Sequence, residues 1–86
     1  MPNPRPPRVV AVATLNELRP GESARVVSLS GTPSLVQRLA ELGLFEGETL
    51  TLVALAPLGD PIEVHLGNTR LTLRRQEAAT VTVEPI

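Results

Sequence analysis

Two runs of strict apolar and polar alternation, separated by Gly67-Asn68, constrain this chain more than any other feature of its sequence. Ile62, Val64 and Leu66 alternate with Glu63 and His65, and Leu71 and Leu73 alternate with Arg70, Thr72 and Arg74. A period of two means one apolar and one polar face, so the pattern predicts a β-hairpin. Gly-Asn suits its tight turn, because glycine takes positive φ without steric cost and asparagine tolerates it. Immediately upstream, Pro57-Leu58-Gly59-Asp60-Pro61 combines two residues of fixed φ with a glycine free to turn either way. It predicts a rigid corner, with Pro57, Gly59, Asp60 and Pro61 as its structural residues.

The rest of the chain supplies partners for that hairpin. Residues 1–8 hold four prolines and two arginines and predict a flexible, proline-rich tail; residues 9–86 form the domain. Val9 to Ala13 predicts an added edge strand. Thr14 is placed to cap a short turn over Leu15–Leu18 that stops at Pro20-Gly21. Ala24 to Ser30 predicts a strand with imperfect alternation. Thr32 as cap and Pro33 at the first helical position begin a helix over 33–42. At about 100° per residue its Leu42, Leu35, Leu39, Val36 and Ala40 share one arc of about 160°, as expected of a helix lying on a sheet.

Gly43 stops that helix. Of the two apolar residues that follow, Leu44 is placed to pack back on the last turn. Phe45 is either core or an exposed apolar spot, and Leu44 and Phe45 are together the candidate partner-binding residues. Glu48 to Ala56 then predicts a strand with Leu50, Leu52 and Ala54 on one side, Arg74 to Ala79 a single helical turn, and Thr80 to Glu84 a closing strand with Val81 and Val83 inward. The fold class is mainly β: a small barrel of about five strands with one inserted amphipathic helix, closure being favoured because it removes exposed edges.

Composition narrows the chemistry. Eighty-six residues bury only about 60% of their unfolded surface, which leaves little room for a deep catalytic cleft. Eight arginines, no lysine and nine acids give a net charge of −1, so no excess positive field exists for nucleic acid to find. The single aromatic argues against a stacking platform and against an aromatic-lined groove for proline-rich ligands. With no cysteine and one histidine, neither a disulfide nor an ordinary zinc site can form, and no metal or cofactor is expected. No P-loop or nucleophile motif is present. His65 is expected outward beside Glu63, Asp60 to accept hydrogen bonds from backbone N–H groups of its own turn, and Arg74-Arg75 to be solvated or paired with an acid such as Glu77. No apolar run approaches the roughly 20 residues of a membrane helix, so a cytoplasmic protein without direct membrane insertion is expected.

Assembled, these stretches resemble the FeoA family of ferrous iron transport. The residues that carry the resemblance run from Thr14 to Val83: Leu15-x-x-Leu18-x-Pro20-Gly21, Arg38-Leu39-Ala40-Glu41-Leu42-Gly43-Leu44 with Gly47, Ala56-Pro57-Leu58-Gly59-Asp60-Pro61, Leu73-Arg74-Arg75-x-Glu77-Ala78, and Val81-x-Val83. Glu46 stands where the family often has proline, and the proline-rich tail lies outside the family pattern. The resemblance implies an SH3-like barrel and a non-enzymatic accessory protein that contacts the FeoB-type membrane transporter on its cytoplasmic side and modulates iron import. An alternative is an autonomous SH3-like regulatory or peptide-binding module, similar to the C-terminal domain of iron-dependent repressors. Weak self-association stays open at this point.

Overall fold

The computed structural model describes residues 11–86; the expected tail over residues 1–8 and the first part of the expected edge strand lie outside them. The hairpin forms as β4 (Ile62–Leu66) and β5 (Thr69–Leu73), joined at Gly67, whose φ is 58°. Ile62 faces Leu73 and Val64 faces Leu71 across the pair, all four buried, while Glu63 faces Thr72 and His65 faces Arg70 on the outer side. These opposed apolar pairs fix the register, since a slip of one residue would turn every one of them outward.

The other strands are β1 (Ala13–Thr14), β2 (Ser23–Leu29), β3 (Thr49–Leu55) and β6 (Val81–Pro85). All pairings are antiparallel, in the order β1-β6-β2-β3-β4-β5. Two irregularities bend the sheet. One lies between Val26 and Ser28 where β2 pairs with β6, the other between Leu52 and Ala54 where β3 pairs with β4. A bulge adds a residue to one strand and sharpens its twist, which curls this sheet around its apolar face. The bulges explain one expectation and correct another: Val27 turns out of β2, the source of its imperfect alternation, and Ala54 is exposed rather than inward with Leu50 and Leu52. The strands number six, not about five, because two residues of β1 pair with β6. Since β1 and β5 are not bonded to each other, the barrel is only partly closed.

Helix α1 (Pro33–Glu41) starts as the sequence predicts, with the Thr32 hydroxyl accepting from the Leu35 N–H at 3.3 Å. Only Leu39 of its apolar arc is fully buried; Leu35 and Val36 are half-buried, and Ala40 and Leu42 are exposed. The sheet meets one ridge of the helix, so the flanks of the arc stay in water. A second short helix, α2 (Arg75–Ala78), precedes β6 and lies against the 3-10 turn Leu15–Glu17. The Thr14 hydroxyl and backbone N–H both donate to the Glu17 carboxylate, which holds that carboxyl below its ordinary pKa. The core is wholly aliphatic, contributed by every strand except β1 and by Leu15, Leu18, Leu39, Leu44 and Ala78. Among the described residues it contains no polar side chain.

Candidate partner-binding surface

The link from α1 to β3 is built from two glycine-dependent turns. Leu42 caps the helix, Gly43 takes φ 98°, its N–H reaches Ala40 O at 2.9 Å and the Leu44 N–H reaches Leu39 O at 2.8 Å. This pair of bonds is the Schellman stop, whose usual companion is an apolar contact between the residue after the glycine and the last turn. Leu44 fills that role with no exposed surface, as does Leu39. Full burial therefore removes Leu44 from the candidate partner surface: it closes the core. The chain then turns again over Phe45–Glu48, with Gly47 at φ 90° and the Glu48 N–H donating to Phe45 O at 3.2 Å. Bonds from Gly47 N–H to Val26 O at 2.9 Å and from Val26 N–H to Glu48 O at 2.8 Å tie this turn to β2. Phe45 is thus presented from a fixed backbone, 46% exposed, three residues from Leu42 at 40%.

The corner before β4 is held by hydrogen bonds as well as by its prolines. A 3-10 turn covers Pro57–Gly59, and the Gly59 N–H donates to Ala56 O at 2.7 Å. Leu58 has φ 73° and ψ 5°, the third position of a type II β-turn, which ordinarily requires glycine or asparagine. A left-handed leucine costs about 1–2 kcal/mol in clash between its Cβ and the backbone. Its side chain is fully exposed at 103% and recovers none of that by packing. The turn is braced further: the Ala56 N–H donates to Pro61 O at 3.0 Å, and the Arg75 guanidinium donates to Gly59 O at 3.3 Å. Asp60 departs from expectation. Its carboxylate accepts from the Arg75 backbone N–H at 3.0 Å, fifteen residues on, and so binds the corner to the start of α2. The sequence pattern assigned roles to Pro57, Gly59, Asp60 and Pro61 and none to Leu58; a leucine directly after proline and before glycine, where glycine itself would suit the turn, was the available signal.

His65 and its neighbours are occupied with one another. The Arg70 Nε–H donates to His65 Nε2 at 3.2 Å, and Arg70 Nε lies 3.4 Å from Glu63 Oε2 as an ion pair, a cross-strand cluster on the hairpin's outer face. Among the described residues no group of three or more His, Asp or Glu converges as metal ligands. Iron(II) is held by several imidazole or carboxylate donors, so titrating the chain with iron(II) or zinc should show no stoichiometric micromolar site. A site that disappears in His65→Ala would overturn this expectation. Arg38 of α1 pairs with Glu77 of α2, whose carboxylate also accepts from the Arg74 N–H at 2.9 Å. Arg38, Pro61, Thr72, Leu73, Arg74 and Glu77 line one shallow groove there.

The family model of the FeoA domain matches residues 13–85. A fusion protein of iron(II) transport protein A and the transporter FeoB, from Porphyromonas gingivalis, is 38% identical over 72 residues, covering 84% of this chain and 8% of the fusion. This chain therefore spans only a small part of that relative. An iron(II) transport protein A of Campylobacter jejuni is 33% identical over 73 residues, covering 85% of this chain and 99% of that one. Among solved structures, the zinc complex of Stenotrophomonas maltophilia FeoA, a prokaryotic SH3 domain protein, superposes with a TM-score of 0.73 at 39% identity, covering 84% of this chain and 89% of that chain. With the curled antiparallel sheet, the inserted helix and a match over nearly all the described residues, the chain belongs to the FeoA family of ferrous iron transport proteins.

Proposed function

We propose that this protein is a non-enzymatic, cytoplasmic accessory module that binds a FeoB-type ferrous iron transporter and modulates it, with Phe45 in the contact surface. The observation that carries the reading is the Porphyromonas gingivalis fusion, in which the relative of this chain and the transporter are one polypeptide. A fusion holds its two parts at high effective concentration, an arrangement that suits a domain whose work is done against the transporter. Phe45 supports it: the only aromatic in the chain stands outside the core on a hydrogen-bonded turn. Aromatic side chains are over-represented among the residues that dominate interface energies. No described helix is long and apolar enough to cross a membrane, so in this reading the membrane is reached through the transporter.

The test is retention of the full chain by a detergent-solubilised, immobilised FeoB-type transporter from the same cell, followed by the transporter's nucleotide turnover with and without the chain. Saturable retention and a changed turnover are the expected results. Passage through the column without retention would overturn the binding, and retention with unaltered turnover would overturn modulation by that route.

A further inference from the structure

Leu58 is held where neither packing nor backbone preference within the domain asks for a leucine. Its side chain is wholly in solvent, and its backbone is in the left-handed region at φ 73°. Glycine would adopt that conformation without strain. Yet the turn beneath it is fixed from both sides, by the Gly59 N–H to Ala56 O bond within the turn and by the two bonds from Arg75 to Asp60 and Gly59. The leucine is therefore a rigid, pre-positioned apolar projection. Little further backbone ordering is needed for it to bind, the condition under which one side chain contributes most to affinity.

The charges around it say what it fits. The Asp60 carboxylate is engaged by the Arg75 N–H, while the Arg75 guanidinium sits on the turn at Gly59 O and Arg74 shares a groove with Pro61. Among the described residues neither the Arg74 nor the Arg75 side chain has a carboxylate partner. Asp60 has no cation partner among them either, so with Arg74 and Arg75 the corner carries one net positive charge. Resting on the reading that this chain docks on the transporter, we infer that Leu58 is an anchor that inserts into an apolar pocket rimmed by carboxylates on the transporter's cytoplasmic part. A pocket suits it better than a lipid surface, because stable membrane attachment needs more than one small apolar insertion beside two cations.

The experiment uses the full chain and the solubilised transporter. Leu58→Gly should keep the wild-type melting midpoint or raise it, since glycine relieves the backbone, while weakening binding by about tenfold or more, chiefly through faster dissociation. Arg74→Glu should slow association at low salt and lose that effect at high salt. Binding of Leu58→Gly at wild-type strength would overturn the anchor and leave the docking reading intact; failure of the wild-type chain to bind would remove that reading and the anchor with it. A midpoint lowered by more than about 5 °C, a shift of order 1 kcal/mol in a small domain, would make Leu58 structural and overturn the proposal. Two further arms test other occupants. Leucine-dependent binding to phosphatidylglycerol vesicles without transporter would assign the projection to lipid, and leucine-dependent self-association in sedimentation would assign it to a second copy; either result overturns the pocket.

Discussion

Leu39→Ala should lower the unfolding free energy by about 2–5 kcal/mol, the range for deleting a fully buried leucine side chain. Leu39 has no exposed surface, and its carbonyl receives the Leu44 N–H that closes the helix stop. It is the one residue of α1 that lies wholly inside the core. Truncation leaves a cavity beneath the helix and loosens the apolar contact that accompanies the stop. Small domains have only about 5–15 kcal/mol in total, so a change of this size moves the urea midpoint clearly while leaving the slope unaltered. Leu42→Ala is the internal control: at 40% exposure it should cost less than about 1 kcal/mol, close to the range of surface positions. Equal losses at the two positions would mean that the helix packs by its whole apolar arc after all.

The contrast between those two leucines shows what the sequence could and could not tell. Periodicity ranks residues by face, and it placed Leu35, Leu39 and Leu42 together; how wide a strip the sheet would cover depends on curvature introduced by bulges at Val27 and Val53, which local pattern does not report. The hairpin was fully legible because its information is local: alternation on both strands and a glycine at the turn. The helix boundaries were legible for the same reason, with Thr32 and Gly43 as cap and stop. Asp60 was not, because its partner is the Arg75 N–H, supplied by an element beyond the hairpin. Leu44 was read as packing on the last helical turn, yet kept among the surface residues; the Schellman geometry resolves it as core. Leu58 carried no role in the sequence pattern, since it lies in a turn outside any periodic run, and only φ 73° together with full exposure singles it out.

Phe45→Ala should weaken association with the FeoB-type transporter by at least about thirtyfold, the factor that corresponds to the roughly 2 kcal/mol lost on truncating an interface-dominating aromatic. The argument starts from the backbone. The Glu48 N–H to Phe45 O bond and the two bonds between Gly47–Glu48 and Val26 fix residue 45 against β2, so its ring is offered to a partner without reordering the loop. Leu44, its neighbour, is locked in the core and leaves Phe45 as the apolar side chain that this link presents. Because the ring is 46% exposed and outside the core cluster, its loss to stability should be about 1 kcal/mol, the centre of the range for point substitutions, and well below that for Leu39. Two measurements on one variant separate the roles: the unfolding midpoint, and the dissociation constant for the immobilised transporter. Wild-type affinity with a near-normal midpoint would take Phe45 out of the interface, whereas a stability loss of several kcal/mol would make the ring part of the core. A ring that serves the partner gives the remaining combination, in which binding falls steeply while the fold holds.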